Sequence, residues 1–499
     1  MLDHLDHALR SRPERPAVLT AGRTGAPRVR ATRGELAELA DAFAAALHAR
    51  GLRAGDTVGI AVRPGPRALA VLLALWRLGL CGAVLDPGAG PDVLRARLAL
   101  ARPALVLVLA DATAQAVAGW ARPLARRARL ALPDLAGLGP VATVGPRLPG
   151  CAPALDLGAS RRGVPAPGAD LDADADAVIV FTSGTTSLPR AVVHTRASLA
   201  AGMATVSALF DARGDRPILG GTFFVLVPSL ARGAAVALPA GNSRVLARQL
   251  HRLRPQDTYL TPPRLRDALG AGARFHGRVW TGSAPAGAGL LERVRAAGAA
   301  EAWGVYALTE LFPAAAVEAR EKSAFEAAGE HGDLVGAPLP GVRAKPDGSG
   351  QLVLSGPAAR HRYLGEEPDP WVRTGDRARL DGAGRIVLEG RSKDMVLRRA
   401  ENIYPGLYEP ALHVPGVELA VLVGIPAGDG DERLVAVVQP RRGADERALR
   451  AALSEPVRRM GTARPDALLL ARIPLSGRSR KPDRAATAAL AARRLGPAR

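Results

Sequence analysis

The sequence predicts an α/β fold with a large N-terminal domain of mostly parallel sheets flanked by helices, followed by a small C-terminal α+β domain. Helix-like and strand-like segments alternate repeatedly from Gly34 onward, and parallel strands require such crossover helices. The sequence pattern changes near Gly390, and the hundred or so residues after it contain predicted strands and helices of their own. Hydrophobic residues make up 48% and charged residues 23% of the 499 residues, as in folded globular proteins. We therefore expect domains over residues 1–390 and 391–499.

The individual elements follow from the spacing of apolar residues. Residues 34–40 have helical spacing, and Thr57–Val62 has the composition of a strand. The other predicted N-terminal elements are a helix near 68–77, a strand at 82–85 closed by Asp86-Pro87-Gly88, a helix over 91–101 and a strand at 105–108. In the C-terminal part we predict strands over 417–423 and 434–438 and helices over 446–454 and 485–492.

Several classes of protein are excluded at this point. The longest apolar stretch, residues 68–85, is interrupted by Arg77, which favours a buried helix and strand over a membrane span. The first residues carry acids where an export signal needs a basic flank, so we expect a cytoplasmic protein. Only Cys81 and Cys151 are present, which excludes a disulfide framework and a cysteine zinc site but leaves one disulfide open.

The charge balance is strongly basic, with 67 Lys plus Arg against 47 Asp plus Glu and a formal net charge of +20. Only four of these cations are lysines, and the arginines are spread along the chain rather than gathered into one run. This distribution favours a compositional bias over nucleic-acid binding, although the charge could attract polyanionic small molecules or an acidic protein. Each remaining lysine is a candidate for a position that requires an ammonium group.

A loop of small and hydroxylated residues follows the apolar strand 177–181. Its members are Thr182, Ser183, Gly184, Thr185, Thr186, Ser187, Leu188, Pro189 and Arg190. Small side chains let backbone N–H groups and hydroxyls surround phosphate oxygens, and Arg190 adds a cation. The loop lacks the Gly-Lys-Ser/Thr ending of a Walker A motif. Composition alone leaves an ordinary turn as the alternative to a phosphate-binding loop.

Further motifs occur in a fixed order across nearly the whole chain. They are Leu85-Asp86-Pro87, Gly282-Ser283-Ala284-Pro285, Tyr306-Ala307-Leu308-Thr309-Glu310, Trp371-Val372-Arg373-Thr374-Gly375-Asp376 and Gly390-Arg391-Ser392-Lys393-Asp394, with Ile403 and Pro405 downstream. Together with the loop, this series resembles the signatures of the adenylate-forming superfamily, which contains acyl-CoA synthetases, nonribosomal peptide adenylation domains and luciferases. The loop departs from the superfamily pattern at Ser187, Arg190 and Ala191.

The resemblance implies the adenylate-forming fold and the use of ATP and Mg²⁺. In that superfamily the glutamate matching Glu310 binds Mg²⁺ beside the phosphates, a role that suits a hard carboxylate oxygen. Asp376 would accept hydrogen bonds from both ribose hydroxyls, and Arg391 would lie near the ribose or the phosphates. The segment Gly282, Ser283, Ala284 and Pro285 would contact adenine, and Tyr306 and Thr309 would complete the nucleotide site.

The C-terminal part is implied to be mobile and to supply the catalytic lysine. Lys481 precedes Pro482-Asp483-Arg484 and would stabilise negative charge as a carboxylate attacks the α-phosphorus. Arg480 stands where the superfamily has a glycine. Lys393 and Asp394 would form the hinge about which the small domain swings between two half-reactions.

The sequence specifies the pocket for the acid less clearly than the other parts of the site. Thr222, Phe223 and Phe224 lie where the superfamily binds its acid, and the two aromatic rings favour a fatty or other apolar carboxylic acid. The acceptor implied by the resemblance is CoA or the phosphopantetheine thiol of an acyl carrier protein. Stretches around 86–90 and 306–318 are also similar to the β-lactone synthetase branch, in which a β-hydroxy acid displaces AMP with its own hydroxyl.

Two further alternatives stay open. A degenerate, inactive homologue would explain the departures at Ser187, Arg190, Ala191, Ala307 and Ala400. A basic nucleic-acid-binding protein would instead be retained on DNA or RNA in a salt-sensitive manner.

Overall fold

A computed structural model describes residues 2–85, 105–121, 135–162, 164, 171–181, 191–391, 394–398, 401–428, 431–476 and 480–496. The helices are α1 (Leu2–Ser11), α2 (Arg33–Ala49), α3 (Pro66–Arg77), α4 (Ala112–Ala118), α5 (Arg196–Phe210), α6 (Phe223–Ala231), α7 (Ser243–Leu253), α8 (Pro262–Gly270), α9 (Ala288–Ala296), α10 (Ala319–Ala327), α11 (Glu446–Arg459) and α12 (Arg484–Leu495). Within these described segments, no helix combines the length and apolarity needed to cross a bilayer.

The strands before residue 392 are β1 (Pro16–Ala21), β2 (Pro27–Thr32), β3 (Thr57–Ala61), β4 (Cys81–Val84), β5 (Leu105–Ala110), β6 (Val141–Thr143), β7 (Asp176–Phe181), β8 (Ala191–Thr195), β9 (Ile218–Leu219), β10 (Val236–Ala237), β11 (Asp257–Tyr259), β12 (Arg278–Thr281), β13 (Glu301–Tyr306), β14 (Ala315–Glu318), β15 (Asp333–Gly336), β16 (Arg343–Pro346), β17 (Gln351–Ser355), β18 (Arg362–Tyr363), β19 (Val372–Leu380) and β20 (Ile386–Arg391). Those after it are β21 (Val396–Arg398), β22 (Glu401–Ile403), β23 (Val417–Gly428), β24 (Asp431–Pro440), β25 (Ala467–Leu470), β26 (Leu475–Ser476) and β27 (Lys481–Pro482).

Two large sheets are mostly parallel, as the alternation of helices and strands predicts. One has the order β18-β8-β7-β4-β3-β5-β6. The strands from β7 to β6 pair in parallel, whereas β8 pairs in antiparallel orientation with both of its neighbours, β7 and β18. The other has the order β14-β13-β12-β11-β9-β10-β1-β2, with antiparallel pairing only at its two edges. The predicted α/β class is confirmed. The predicted helix over 91–101 and the turn Asp86-Pro87-Gly88 lie outside the described residues.

A third sheet of this part is antiparallel throughout, with the order β15-β20-β19-β17-β16. The sequence analysis expects mostly parallel sheets and does not anticipate it. Short turns join its neighbours β16 and β17 and its neighbours β19 and β20, and Gly350 and Gly384 adopt φ values of +78° and +73° there. Such turns reverse the chain without a crossover helix, so the strands pair as hairpins.

The helices begin and pack where the sequence provides caps and apolar faces. Thr32 and Glu35 form a reciprocal capping box at the start of α2. Helix α3 begins at Pro66, a residue suited to the first helical position because its missing N–H would have no partner there. The buried faces of α2 and α3 share one apolar cluster that includes Phe43, Leu75 and Val58 of β3. This packing buries the first parallel sheet.

Residues 396–495 pack around two apolar clusters of their own. Strand β24 pairs with β23 in antiparallel and with β25 in parallel orientation. Along β23, Leu422 faces the cluster that contains Leu453 of α11, whereas Val421 faces the cluster that contains Ala491 of α12. This alternation follows from the two-residue period of a strand and buries both faces of the small sheet. The division of the chain after residue 390 stays a prediction.

Candidate active site

A buried carboxylate on the antiparallel sheet forms the centre of the candidate site. Asp376 of β19 is 5% exposed and lies opposite Arg391 of β20 in the strand register. The Tyr306 hydroxyl donates to Oδ2 of Asp376 at 2.7 Å, and Nε of Arg391 donates to Oδ1 at 2.8 Å. Each carboxylate oxygen can accept two hydrogen bonds, and each has one such side-chain donor among the described residues, so a second donor such as a ligand hydroxyl can be accepted on each. The structure thus brings together three residues that the sequence places far apart.

Two features hold this carboxylate in place and keep Tyr306 a donor. The backbone N–H of Asp376 donates to Oγ1 of Thr374 at 3.0 Å, and the Thr374 hydroxyl donates to the Leu352 carbonyl at 2.8 Å. Burial, followed by the negative charge of Asp376, raises the pKa of Tyr306 well above its ordinary value. The phenol therefore stays protonated and can donate its hydroxyl proton to Asp376.

Glu310 lies in the turn between β13 and β14, and three contacts fix this turn. Its Oε1 accepts a hydrogen bond from the Tyr363 hydroxyl at 3.1 Å. Its own carbonyl accepts from the backbone N–H of Arg360 at 2.6 Å, and the Thr309 carbonyl accepts from Nε2 of His194 at 2.7 Å. The sequence analysis identified Glu310 and Thr309 but missed Tyr363, Arg360 and His194, because none of them belongs to a motif used there.

His194 acts in this turn as a neutral imidazole. It is 1% exposed, and burial is the main reason that its pKa lies below the ordinary value. A carbonyl oxygen only accepts, so the proton must be on Nε2, which leaves Nδ1 to accept from the Ser198 hydroxyl at 3.2 Å. His194 therefore connects helix α5 to the Glu310 turn.

The predicted adenine-contacting segment begins at the end of β12. A Cβ atom on Gly282 would lie 2.9 Å from the Val305 carbonyl oxygen, so the backbone approaches β13 more closely than a side chain would allow. Ser283 has a φ of +69°, and its hydroxyl lies 3.2 Å from that of Tyr259. Ala284 and Pro285 follow on this loop. Tyr259 is a further polar residue at the strand ends that the sequence analysis missed.

Aromatic rings adjoin the Glu310 turn on the side of helix α6. Thr222 precedes this helix, and Phe223 and Phe224 begin it. The ring centroids of Phe224 and Phe312 are 3.9 Å apart, and Phe312 lies two residues after Glu310. A Cβ atom on Gly202 of α5 would lie 2.6 Å from the Phe312 ring. Phe312 and Gly202 were not identified in the sequence analysis because their proximity depends on how α5 and α6 pack.

The predicted phosphate loop, Thr182, Ser183, Gly184, Thr185, Thr186 and Arg190, lies outside the described residues, but both of its ends are described. Phe181 at the end of β7 pairs with Ala191 at the start of β8, so the loop leaves and re-enters the sheet at neighbouring positions. Val192 of β8 pairs with Tyr363, whose hydroxyl contacts Glu310. The register therefore places the start of β8, which follows the loop in the sequence, beside the partner of Glu310.

The predicted C-terminal site residues are described in part. Lys481 lies in β27, exposed and opposite Ser476 of β26, and Nη1 of its neighbour Arg480 contacts Asp267 of α8 at 2.8 Å. Asp394 pairs with Nε of Arg484 at 3.0 Å, whereas Lys393 lies outside the described residues.

Glu418 of β23 contacts two helices of the N-terminal part. It pairs with Arg266 of α8 at 3.4 Å and with Arg293 of α9 at 3.3 Å. Together with Arg480, these pairs place the C-terminal part against α8 and α9.

The polar groups of the site fit a nucleotide whose phosphates, together with a protein carboxylate, bind a hard cation. In the described segments, no group of three or more His, Cys, Asp or Glu residues could hold a metal ion. Mg²⁺ is commonly bound through one or two carboxylates together with substrate phosphates rather than by a complete protein cage. Glu310 is suited to be that carboxylate, and Asp376, with its two acceptor oxygens, is suited to a pair of ribose hydroxyls.

Comparisons with known proteins bear on the fold and the family of this chain. A family model described as AMP-binding enzyme matches residues 5–363. Feruloyl-CoA synthase from an Amycolatopsis species is 28% identical over 83% of this chain and 84% of its own. Olefin beta-lactone synthetase from Stenotrophomonas maltophilia is 27% identical over 90% of this chain and 89% of its own. The structure of the amide bond synthetase McbA from Marinactinospora thermotolerans has a TM-score of 0.76 and 23% identity, with coverage of 98% and 99%.

Proposed function

Because the chain belongs to the AMP-binding enzyme family, whose members include AMP-forming, acid-activating ligases, we propose that it converts a carboxylic acid and MgATP into an acyl-adenylate and pyrophosphate. The observation that carries this proposal is the buried Asp376 carboxylate with Tyr306 and Arg391 on its two oxygens. The hydrogen bonds that hold the Glu310 turn support it.

The proposed reaction places each residue in one role. Asp376 accepts the two ribose hydroxyls, the segment that begins at Gly282 contacts the adenine, and Arg391 adds positive charge beside the nucleotide. A carboxylate oxygen of the acid attacks the α-phosphorus, a new P–O bond forms, and the bond to pyrophosphate breaks. Lys481 stabilises the charge that develops on the α-phosphate during this attack. This assignment rests on its sequence motif.

The cation in this proposal is Mg²⁺, which would neutralise charge on the departing pyrophosphate. Glu310 would hold it with the substrate phosphates, and the Tyr363 hydroxyl fixes the orientation of that carboxylate. The residues 182–190 are proposed to bind the same phosphates.

The acid is proposed to be fatty or otherwise apolar. Phe223 and Phe224 at the start of α6 are partly buried aromatic residues near the Glu310 turn, and Phe224 packs against the buried Phe312 of that turn. The second step then transfers the acyl group to the thiol of CoA or of an acyl carrier protein. Similarity to a feruloyl-CoA synthase supports the CoA acceptor. A cytoplasmic location and a carrier-protein partner stay predictions.

Formation of a β-lactone is the second candidate function, favoured by the similarity to an olefin beta-lactone synthetase over 90% of this chain. In this reaction the β-hydroxyl oxygen of the activated acid attacks its own carbonyl carbon, the hydroxyl proton leaves, and AMP departs. No thiol takes part.

Pyrophosphate release from MgATP tests these proposals. Fatty, aryl, amino and β-hydroxy acids should each be assayed with and without CoA, using Lys481→Ala as the inactive control. Acid-dependent release supports adenylation, and acceleration by CoA with thioester formation supports the ligase. AMP release from a β-hydroxy acid without any thiol favours the lactone reaction. Absence of release with every acid would contradict the proposed activity.

A further inference from the structure

Arg360 is a buried arginine beside the Glu310 turn. It is 6% exposed and lies between β17 and β18. The preceding residue, Ala359, forms an isolated antiparallel bridge with Leu311. Charged side chains are seldom buried in this way unless they are paired or hydrogen-bonded.

The contacts of Arg360 join two parts of the candidate site. Its backbone N–H donates to the Glu310 carbonyl at 2.6 Å. Its guanidinium carbon lies 4.4 Å from the ring centroid of Tyr363, the residue whose hydroxyl binds Oε1 of Glu310. Nη1 donates to the Asp369 carbonyl at 2.9 Å, and Nη2 to the Trp371 carbonyl at 3.4 Å. These two carbonyls lie just before β19, the strand that carries Asp376.

Stability alone gives a weak reason for a guanidinium at this position. Its nearest paired carboxylate is Oδ2 of Asp369, at 3.8 Å, and that side chain is 49% exposed. Nε of Arg360 has no hydrogen-bond partner among the described residues. Removing a charge from water is costly, and an apolar side chain of similar length would fill the space without that cost. Unlike an apolar side chain, the guanidinium donates hydrogen bonds to the carbonyls of Asp369 and Trp371.

We propose that Arg360 is a positioning residue that sets the spacing between Glu310 and Asp376, the carboxylates at the metal end and the ribose end of the nucleotide site. This inference rests on the roles given to Glu310 and Asp376 in the proposed function. Asp376 is also held by Thr374, Tyr306 and Arg391, so its own position should persist without Arg360. The Tyr363 ring would lose the guanidinium that lies over it, and Glu310 would lose its fixed distance from the ribose.

The test is the effect of Mg²⁺ on nucleotide binding in Arg360→Met and Arg360→Lys. Binding of a non-hydrolysable ATP analogue is measured by calorimetry with and without Mg²⁺, in the absence of any acid. For Arg360→Met we expect nearly unchanged binding without metal and a loss of about 10- to 100-fold in the enhancement by Mg²⁺, the range typical of residues that orient a metal ligand. Arg360→Lys keeps the charge but not the two guanidinium hydrogen bonds to the carbonyls of Asp369 and Trp371, so its loss should be intermediate.

Arg385→Met is the control, because it removes a guanidinium from the turn between β19 and β20, the strands that carry Asp376 and Arg391. Arg385 pairs with Asp381 and Glu321 and contacts none of the site residues discussed. This variant should keep the wild-type enhancement by Mg²⁺. An unchanged enhancement in Arg360→Met, or an equal loss in Arg385→Met, would overturn the positioning role.

The remaining outcomes separate this inference from the proposed function. If Arg360→Met does not fold, as judged by thermal unfolding, Arg360→Lys decides the question by the same binding measurement. A wild-type protein that binds MgATP but releases no pyrophosphate with any acid would contradict the proposed activity and leave the Arg360 measurement valid. A wild-type protein that binds no nucleotide would refute both.

Discussion

Replacing Asp376 with asparagine tests the central carboxylate with little change in size. In the structure this side chain is 7% exposed and accepts hydrogen bonds from Tyr306 and Arg391 at 2.7 and 2.8 Å. Asp376→Asn removes the negative charge and turns one acceptor oxygen into a donor. The Arg391 side chain is 35% exposed, so solvent can compensate for its lost ion pair and the fold should persist. The effect should therefore fall on nucleotide binding.

The magnitude follows from the kind of hydrogen bond that is lost. A hydrogen bond to a charged group contributes about 1.5–3 kcal/mol, and one between neutral groups contributes about 0.5–1.5 kcal/mol. The difference is about 1 kcal/mol for each of two ribose hydroxyls, or about 2 kcal/mol in total. We expect the dissociation constant for ATP to rise about thirtyfold, since about 1.4 kcal/mol corresponds to tenfold.

Equilibrium binding of ATP and of 2′-deoxy-ATP measures this effect. The wild-type protein should prefer ATP, and Asp376→Asn should reduce that preference about fivefold, the equivalent of about 1 kcal/mol for the 2′-hydroxyl. Tyr306→Phe is the matched control because it removes one donor to the carboxylate and keeps the negative charge. Unchanged ATP affinity in Asp376→Asn, or an equal loss of affinity for both nucleotides, would refute the ribose assignment.

Three further predictions concern the lysine, the buried histidine and the aromatic cluster. Lys481→Ala should lower the adenylation rate by about 10²- to 10³-fold and leave ATP affinity nearly unchanged, and normal turnover would contradict its catalytic role. The lowered pKa of His194 predicts stability that is complete above its unfolded value of 6.5 and declines as the pH falls toward the folded value. Thermal unfolding of His194→Gln at several pH values should show a weaker decline, and an identical decline would count against this assignment. Gly202→Ala should destabilise the fold by about 1–3 kcal/mol, because its Cβ would lie 2.6 Å from the Phe312 ring; unchanged denaturant unfolding would contradict that packing.

The sequence determined the fold class, the order of the motifs and the location of the elements with the clearest apolar periodicity. Helices such as α2 and α3 and strands such as β3 follow from local apolar periodicity and from caps, which depend on residues a few positions apart. Motif order predicted roles for Glu310, Asp376 and Arg391, and it suggested a family that the match over residues 5–363 confirms. These inferences needed no knowledge of how distant segments meet.

The tertiary structure decided which distant residues support those motifs. Tyr306 reaches Asp376 across 70 residues, Tyr363 reaches Glu310 across 53, and His194 reaches Thr309 across 115. The antiparallel sheet that carries Asp376 opposite Arg391 was likewise unforeseen. Such contacts depend on sheet register and on helix packing, where a shift of one residue turns a side chain to the opposite face. Local patterns carry no information about that register, so Arg360, Tyr363 and His194 became visible only when the chain was folded.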